Sequence, residues 1–212
     1  MKLYGYWRSS AAYRVRIALA IKQLDFESIP VHLVKDGGQQ HQDAYKALNP
    51  AELVPTIQDG DLTVNQSLAI VEYLEEQCPS PALLPSDAAS RARVRAMALD
   101  IACDIHPLNN LRVLQYLTQT LQLTEQQKVA WIHHWLHTGF QALEQRLLNT
   151  AGEFCFADQL SLADVCLVPQ VYNALRFQLD ITPFPLIQAI YQRCNQLAAF
   201  QLAAPEQQAD AQ

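Results

Sequence analysis

The first third of the chain alternates short apolar runs with one amphipathic segment, which predicts a small α/β unit. Residues 2–6 and 27–34 are rich in aromatic and β-branched side chains and indicate two strands. Between them, residues 10–22 carry apolar positions at helical spacing. A strand, a helix and a second strand in this order favour a parallel βαβ unit with a right-handed crossover.

Two further strands and a second helix complete this unit. The stretch LVPTIQDGDLTV, residues 53–64, indicates two short strands around a turn at Asp59 and Gly60. A helix then opens near Ser67. The order β-α-β-(α)-β-β-α predicts a four-stranded mixed sheet with helices packed on it, over residues 1–77.

The rest of the chain is predicted to be helical. Residues 78–87 contain three prolines and indicate a linker. Residues 88–212 then form an all-α domain, in which Pro107 kinks the first helix. The tail from residue 204 has little to bury and is expected to fray. Four segments repeat apolar residues with a period of about 3.6, namely 88–118, 124–149, 161–175 and 185–199.

One helix start is predicted to be purely structural. In the stretch QLSLADVCLVPQ, Ser161 and Asp164 have the spacing of a capping box. Leu160 and Val165 can form the hydrophobic staple across it. These features nucleate a core helix, and no chemistry is assigned to them.

Composition narrows the classes of function. Half of the 212 residues are apolar, and the net charge is -6 without any block of Lys or Arg. Such a chain is a poor candidate for nucleic acid or an anionic membrane. Five cysteines without a CxxC motif argue against a disulfide framework and favour the cytoplasm, with Cys103 and Cys166 expected in the core. Neither a signal peptide nor a membrane span is expected.

A pair of serines stands where the first helix begins. Ser9 and Ser10 lie at the positive end of the helix dipole, where unpaired N–H groups stabilise an anion. A single serine would be interpreted as an N-cap. With two, one can cap the helix while the other points its hydroxyl at a ligand. A hydroxyl donor at a helix N-terminus suits a thiolate, because such surroundings lower the pKa of a thiol.

Two other short motifs fit a peptide-like ligand. Pro55 at the start of a strand fits either a cis-proline turn that frees the backbone of Val54, or a simple strand start, and both interpretations stay open. Gln66 and Ser67 begin a helix directly after a strand, where N–H groups and a hydroxyl can hold a carboxylate. Together the motifs predict an extended, anionic, thiol-bearing peptide as the ligand.

Blocks along essentially the whole chain resemble, in order, those of the zeta-class glutathione transferases, the maleylacetoacetate and maleylpyruvate isomerase family. The resemblance implies an α/β thioredoxin-like N-terminal domain, an all-helical C-terminal domain and a homodimer. The blocks that carry it are SSAAYRVRIALA, VKDGGQQ, ALNPAELVPT, QSLAIVEYLEE, ALLPSD, DIHPLNN, SLADVCLVPQVYNALRF and DITPFPLI.

The resemblance also implies which residues hold glutathione. Ser9 would face the sulfur, assisted by Ser10 and the backbone at Ala11. Val54 would pair with the cysteinyl backbone across a cis Pro55. The other contacts that it implies are Gln66 and Ser67 with the γ-glutamyl carboxylate, Gln40 with the glycyl end, and Asp104, His106 and Asn110 along the site.

The reaction implied by the resemblance is cis-trans isomerisation of a maleyl diacid. A thiolate adds reversibly to the double bond, the bond turns, and the thiolate leaves, so glutathione is a cofactor that is not consumed. The expected substrate is maleylacetoacetate, which becomes fumarylacetoacetate in aromatic amino acid breakdown. Three alternatives remain: maleylpyruvate of a gentisate route, general transferase activity on haloacids and other electrophiles, and a non-catalytic glutathione-binding module.

Arginines are the candidates to bind the substrate's carboxylates, because a guanidinium binds a carboxylate bidentately. The predicted set is Arg8, Arg112 and Arg176. Arg14 and Arg16, on the first helix, are instead expected to be solvated or salt-bridged. The chain carries Ala11 where many family members have a cysteine, which leaves its side transferase activity open.

A metal site is not predicted. His133, His134 and His137 have a helical spacing that could bind zinc. There is no HExxH motif and no nearby cysteine or acidic ligand, so a polar helix face is the favoured interpretation.

Overall fold

The computed structural model describes all 212 residues, and the chain divides into two compact units. The first unit comprises Met1–Ala82 together with Gln196–Gln212, and the second comprises Leu83–Asn195. The end of the chain therefore packs with the N-terminal unit. This differs from the predicted division, which gave residues 88–212 to one helical domain.

A four-stranded mixed sheet organises the first unit, as the sequence predicted. The strand order is β2-β1-β3-β4. β1 runs parallel to β2 and antiparallel to β3, which pairs with β4 in a hairpin. The strands are β1 Lys2–Gly5, β2 Glu27–Pro30, β3 Thr56–Asp59 and β4 Leu62–Asn65.

Nine α-helices complete the two units. The first, α1, is the crossover between β1 and β2, and the first and third begin at the serines that the sequence singled out. In chain order the helices are α1 Ser10–Ile21, α2 Asp43–Lys46, α3 Ser67–Gln77, α4 Ala88–Leu99, α5 Leu111–Gln115, α6 Glu125–Leu147, α7 Leu162–Arg176, α8 Pro185–Cys194 and α9 Ala198–Ala203.

Helix α1 is buried on nearly all sides, because α3 and α9 both pack against it. Residues 12–19 are all buried, and these include Arg14 at 2% exposure and Arg16 at 5%. They were expected to be solvated or salt-bridged, and this burial excludes the solvated alternative. The periodicity of apolar residues described only the faces covered by apolar neighbours, whereas the remaining face is covered by the end of the chain.

The C-terminal tail is packed and does not fray. Phe200 is fully buried, and its carbonyl accepts a hydrogen bond from the Tyr13 hydroxyl at 3.4 Å. Arg16 Nε donates to the Ala203 carbonyl at 3.0 Å. The residues from 204 onward, which were predicted to fray, are also held: Pro205 is buried, and Asp210 Oδ2 accepts from the Trp7 N–H at 3.1 Å. That prediction was wrong because these few contacts leave no apolar periodicity in the sequence.

A buried lysine fastens the linker to the first unit. Lys22 Nζ lies 2.7 Å from Glu75 Oε2, and its side chain is fully buried. It also donates to the carbonyls of Cys78 at 2.6 Å and Pro81 at 3.1 Å. Three oxygens thus satisfy the three donors of one ammonium group, which compensates for its desolvation.

The second unit is all helical, and a capping network begins its central helix α7. Asp164 accepts from the N–H groups of Ser161 and Cys155, each at 2.8 Å, and from the Ser161 hydroxyl at 2.8 Å. The predicted pairing of Ser161 with Asp164 is confirmed. Burial raises the pKa of Asp164, while the hydrogen bonds from Cys155 and Ser161 oppose that rise.

The segment around Pro107 is interrupted and not simply kinked. After α4 the backbone forms a π-helical stretch, Asp100–Ile105, and then a 3-10 turn, His106–Asn109. Asn110 is extended, and its side chain accepts from the Arg112 N–H to cap α5. The break lies at Asn110 because its amide competes with the helix for backbone donors.

All five cysteines are free. Cys166 is buried as expected, but Cys103 is exposed, because the π-helical stretch turns Ile101 and Ile105 inward and leaves Cys103 on the other side. None of the helices combines the length and the apolar character that crossing a membrane requires.

Candidate functional site

The serine pair occupies the first turn of α1 in two different ways. Ser9 is the N-cap, and its Oγ accepts from the Ala12 N–H at 3.2 Å. Ser10 is the first helical residue and is buried, at 6% exposure. The expected division, with one serine for the cap and the other for a ligand, is therefore not seen, because Ser9, which the resemblance places at the sulfur, is itself the cap. Accepting a hydrogen bond uses only a lone pair, so the Ser9 hydroxyl proton can still be donated.

A tight turn, from Tyr6 to Ser9, immediately precedes helix α1. The Ser9 N–H donates to the Tyr6 carbonyl at 2.9 Å, which closes the turn over Trp7 and Arg8. Arg8 Nη2 donates to the Tyr6 hydroxyl at 3.1 Å, and the guanidinium lies 4.6 Å from the Trp7 ring centroid. Arg8 is half-buried and forms no ion pair with another side chain of the protein. Its charge can therefore meet an external carboxylate next to Ser9.

The start of α3 is an open helix N-terminus. Gln66 has φ 71° and ψ 113°, and no side chain caps the first turn. A positive φ is unfavourable for a residue with a Cβ, so this backbone is held by its surroundings. With its first N–H groups uncapped by a side chain, the helix end can receive an anion.

Ser67 is oriented by a buried arginine that the sequence reasoning did not assign to the site. Arg14 Nη1 donates to Ser67 Oγ at 3.2 Å, and both side chains are buried. Because a guanidinium can only donate, the Ser67 hydroxyl must direct its own proton to another acceptor. The signal for Arg14 was present in the sequence, since it is a charged residue within the apolar run AAYRVRIALA.

The peptide bond between Val54 and Pro55 is cis, which decides between the two interpretations of this motif. The antiparallel ladder of β3 begins at Thr56, so Val54 lies outside it. The preceding carbonyl, that of Leu53, accepts from the Tyr45 hydroxyl at 2.6 Å and from Asn49 Nδ2 at 2.7 Å. Burial raises the pKa of Tyr45, so the phenol remains a donor at neutral pH.

Gln40 is buried, and its amide is turned toward the protein. Its Nε2 donates to the Leu33 carbonyl at 3.3 Å, whereas its buried Oε1 has no partner. Gly38, at φ 99°, permits this arrangement, because a Cβ there would come within 2.6 Å of Gln40 Nε2. The predicted contact of Gln40 with the glycyl end of glutathione stays a prediction.

A cavity of about 450 Å³ lies in the first unit, but it does not contain the predicted site. Its walls are apolar side chains, phenols and amides, with no charged group to meet an anion. None of the predicted glutathione-binding residues lines it. The lining residues are Tyr4, Ile29, Pro30, Val31, Gln39, Gln42, Ala44, Tyr45, Leu48 and Gln58.

Three predicted glutathione-binding residues belong to the second unit. Asp104 is exposed on the π-helical stretch, and His106 is half-buried at the start of the 3-10 turn. Asn110 Oδ1 accepts from the Arg112 N–H at 3.2 Å. The spacing of four residues would place His106 and Asn110 on one face of a continuous helix, but the 3-10 turn ends at Asn109, between them. Asn109 is buried, and neither polar atom of its amide has a partner.

The two remaining arginines are exposed in the second unit. Arg112 lies in α5, and Arg176 is the last residue of α7, with its guanidinium 4.5 Å from the Phe177 ring centroid. The structure thus distributes the predicted residues over both units. The first unit carries Arg8, Ser9, Ser10, Ala11, Gln40, Val54, Pro55, Gln66 and Ser67, and the second carries Asp104, His106, Asn110, Arg112 and Arg176.

The three histidines of α6 do not converge. His133 Nε2 lies 2.7 Å from the Phe177 carbonyl, His134 packs edge-on against Trp135, and His137 packs against Phe184. Across the protein, no cluster of three His, Cys, Asp or Glu side chains has the arrangement that would hold a metal ion.

Comparison with known proteins identifies the family. The family profile "Glutathione S-transferase, N-terminal domain" matches residues 1–76. A probable maleylacetoacetate isomerase of Vibrio cholerae is 59% identical over 99% of this chain and 97% of its own length.

Two solved structures extend the similarity to the fold. The holo structure of a maleyl pyruvate isomerase, described as a bacterial zeta-class glutathione S-transferase, has a TM-score of 0.97 at 48% identity and covers 100% of both chains. Maleylacetoacetate isomerase from Methylobacterium extorquens AM1, with bound malonate and GSH, has a TM-score of 0.95 at 39% identity, again over 100% of both chains. The fold that the resemblance implied is confirmed. The chain therefore belongs to the zeta class of the glutathione transferases, in the family of the maleylacetoacetate and maleylpyruvate isomerases.

Proposed function

We propose that this protein is a glutathione-dependent isomerase that converts maleylacetoacetate to fumarylacetoacetate in aromatic amino acid breakdown, by the tyrosine route. The similarity to isomerases over the full chain supports the reaction class. The observation that carries the proposal is the start of α1, where the capping hydroxyl of Ser9 retains a proton to donate at the positive end of a helix dipole.

The chemistry of the reaction comes from the cofactor, and the protein positions and activates it. When bound, glutathione supplies a thiolate that adds reversibly to the maleyl double bond, so that the bond can rotate before the thiolate leaves. Ser9 donates its hydroxyl proton toward that sulfur, and the N-terminus of α1 favours the negative charge. Ser10 and the backbone at Ala11 support this turn of the helix. No other acid or base of the protein is required.

Residues of the first unit hold the rest of glutathione. The open N-terminus of α3 at Gln66, with the Ser67 hydroxyl oriented by Arg14, suits the γ-glutamyl carboxylate. The backbone of Val54, outside the β3 ladder, is available to the cysteinyl residue. The additional contacts proposed are those of Gln40, Asp104, His106 and Asn110.

Arginines bind the two carboxylates of the substrate. Arg8 is the leading candidate because it is next to Ser9 in the chain and lacks an ion-pair partner in the protein. Arg112 and Arg176 are exposed, so their guanidinium groups are accessible to an anion. A diacid needs its charge met, since desolvation otherwise opposes binding.

Maleylpyruvate is the second candidate substrate. The specific observation in its favour is the TM-score of 0.97 to a maleyl pyruvate isomerase. Maleylpyruvate and maleylacetoacetate present similar carboxylates to the same arginines. A homodimer is supported by the family and by the exposed edge strand β4, where Leu62 is 42% exposed. The five free cysteines support a reducing, cytoplasmic location.

The test is to assay the purified protein on both maleyl substrates and on a haloacid, with and without glutathione. We expect turnover of a maleyl diacid that depends on glutathione and exceeds haloacid turnover. A kcat/KM at least about 10-fold higher for one maleyl compound, equivalent to about 1.4 kcal/mol, identifies the preferred substrate. Full-rate isomerisation without glutathione, or no isomerisation with it, contradicts the proposal.

A further inference from the structure

The turn that precedes Ser9 is held by two charged side chains, Arg16 of the following helix α1 and Asp210 of the C-terminal tail. The N–H of Trp7 donates to Asp210 Oδ2 at 3.1 Å, and the carbonyl of Trp7 accepts from Arg16 Nη2 at 2.9 Å. One residue therefore has both its backbone donor and its backbone acceptor bound to ionised groups. Hydrogen bonds to charged groups are stronger than those between neutral groups.

Arg16 connects the turn to the C-terminal tail as well. Its Nε donates to the Ala203 carbonyl at 3.0 Å, while Nη2 binds Trp7. The side chain is buried at 5% exposure, and its guanidinium lies 5.3 Å from the Tyr13 ring centroid. Arg16 thus fixes the position of the tail that supplies Asp210.

The geometry of this turn sets the position of Ser9. The turn runs from Tyr6 to Ser9 and is closed by the 2.9 Å hydrogen bond between the Ser9 N–H and the Tyr6 carbonyl. Trp7 occupies its first central position, so rotation of either peptide group of Trp7 reorients the residues that follow. Its indole is buried, at 8% exposure, which limits how the turn can relax.

We propose that Asp210 is a positioning residue for the glutathione thiolate, because it fixes the Tyr6–Ser9 turn and thereby aims the Ser9 hydroxyl. This inference rests on the proposed role of Ser9 in glutathione activation. It adds a function for the C-terminal tail, which would hold the Tyr6–Ser9 turn in place through the hydrogen bond between Trp7 and Asp210, 203 positions apart in the chain.

Loss of Asp210 would shift the pKa of the bound thiol in opposite directions, depending on whether Asp210 positions Ser9 or acts directly through its charge. The charged groups around the turn are Arg8, Arg16 and Asp210. Removing a nearby negative charge would lower the pKa of the bound thiol, since a like charge disfavours the thiolate. Losing the aim of the Ser9 hydroxyl would instead raise that pKa, because a donor to the thiolate is lost.

The experiment compares Asp210→Ala, Asp210→Asn and a matched control, Asp158→Ala. Asp158 is exposed in the second unit, and its Oδ1 accepts from the Glu153 N–H at 2.9 Å, so its loss removes the same kind of contact elsewhere. The readouts are the pKa of the thiol in the glutathione complex, followed by thiolate absorbance, kcat for the maleyl substrate, KM for glutathione and thermal unfolding.

We expect Asp210→Ala to raise the thiol pKa and to lower kcat by about 10-fold, with a smaller change in KM for glutathione. Asp210→Asn should bring the thiol pKa and kcat most of the way back to the wild-type values, because its amide oxygen can accept from the Trp7 N–H without the charge. Asp158→Ala should lower the unfolding temperature slightly through loss of its own contact, and it should leave the thiol pKa, kcat and KM unchanged.

Three results overturn the inference. In the first, Asp210→Ala gives the same values as Asp158→Ala in all readouts. In the second, Asp210→Ala lowers kcat without changing the thiol pKa. In the third, both Asp210 variants lower the thiol pKa. Wild type and Ser9→Ala are measured in parallel. If glutathione bound to wild type has the same thiol pKa as free glutathione, or as in Ser9→Ala, the proposed role of Ser9 fails, and the positioning role of Asp210 falls with it.

Discussion

A serine stands at the start of two helices, Ser161 as the N-cap of α7 and Ser67 as the first residue of α3, yet the two helix starts are built in opposite ways. At α7, Asp164 accepts from two backbone N–H groups and from the Ser161 hydroxyl, and this network is buried. At α3, no side chain caps the helix, Gln66 has a positive φ, and Arg14 binds the Ser67 oxygen. The start of α7 is satisfied within the protein, whereas the start of α3 carries no side-chain cap and is where we propose that an anion binds.

The comparison shows that a serine at a helix start does not by itself indicate function. What distinguishes the two is whether a side chain of the first turn binds the backbone that precedes the helix: Asp164 does so at α7, and no side chain caps α3. Helix α1 combines both features, because the Ser9 oxygen caps the helix while its proton remains available to a ligand. Four predictions test this contrast, from the largest expected effect to the smallest.

The largest effect is expected at the start of α7, where Asp164 is buried and hydrogen-bonded. Asp164→Ala leaves the N–H groups of Ser161 and Cys155 buried without an acceptor. We expect the free energy of unfolding to fall by about 3–5 kcal/mol, as measured by urea denaturation. The glutathione affinity of the folded fraction should not change. A loss below about 1 kcal/mol would show that the network does not hold α7.

The second effect concerns Ser9. Ser9→Ala should lower kcat by about 100-fold and raise the pKa of the bound glutathione thiol, because a preorganised donor is lost. It should also cost about 1 kcal/mol of stability through loss of the cap. Ser9→Thr, which keeps a hydroxyl, is the control and should recover most of both. A larger rise in thiol pKa for Ser10→Ala than for Ser9→Ala would exchange the two roles.

The third prediction distinguishes residues that bind the substrate's carboxylates from residues that bind glutathione. Replacing Arg8, Arg112 or Arg176 by Gln should lower kcat/KM for a maleyl diacid by roughly 10- to 150-fold, or about 1.5–3 kcal/mol, while conjugation of a neutral electrophile changes little. Arg8→Gln should show the greatest loss. Equal losses on both substrates would mean that the arginine holds glutathione or the fold.

The smallest effects give the sharpest test of the comparison. Ser67→Ala should weaken glutathione binding by about 10-fold, or about 1.4 kcal/mol, and it should also lower stability, because the buried Arg14 Nη1 loses this acceptor. Ser161→Ala should lower stability by about 1 kcal/mol with unchanged glutathione affinity. Calorimetric titration and thermal unfolding of both variants provide the measurements. If Ser161→Ala weakens glutathione binding as much as Ser67→Ala does, or if Ser67→Ala leaves it unchanged, the two helix starts do not differ in function.

Local patterns were sufficient for the sheet, the helix starts and the capping pair of Ser161 and Asp164. Each depends on residues within a few positions of one another, so spacing carries the information. The cis peptide before Pro55 was one of two open interpretations, since proline at a strand start is compatible with either isomer.

Contacts across the chain were beyond local patterns. The burial of Arg14 and Arg16 depends on α3 and on a tail almost two hundred residues away, as in the hydrogen bond of Arg16 to Ala203. The break at Asn110 depends on whether its side chain serves the helix or a ligand, and the sequence is the same in both cases. These features require the folded structure because their causes are tertiary.

The central claim is that the glutathione thiolate adds to the substrate and is released again in each turnover, so glutathione is not consumed. Measuring the free thiol during turnover tests this claim most directly. The enzyme is given a maleyl diacid at about 100-fold excess over glutathione, while the trans product and the free thiol are measured together. The account predicts complete conversion with the thiol concentration unchanged at the end. Substrate consumption that stops at one equivalent per glutathione, with a matching loss of free thiol and a glutathione adduct in place of the trans product, would contradict it and identify a conjugating transferase.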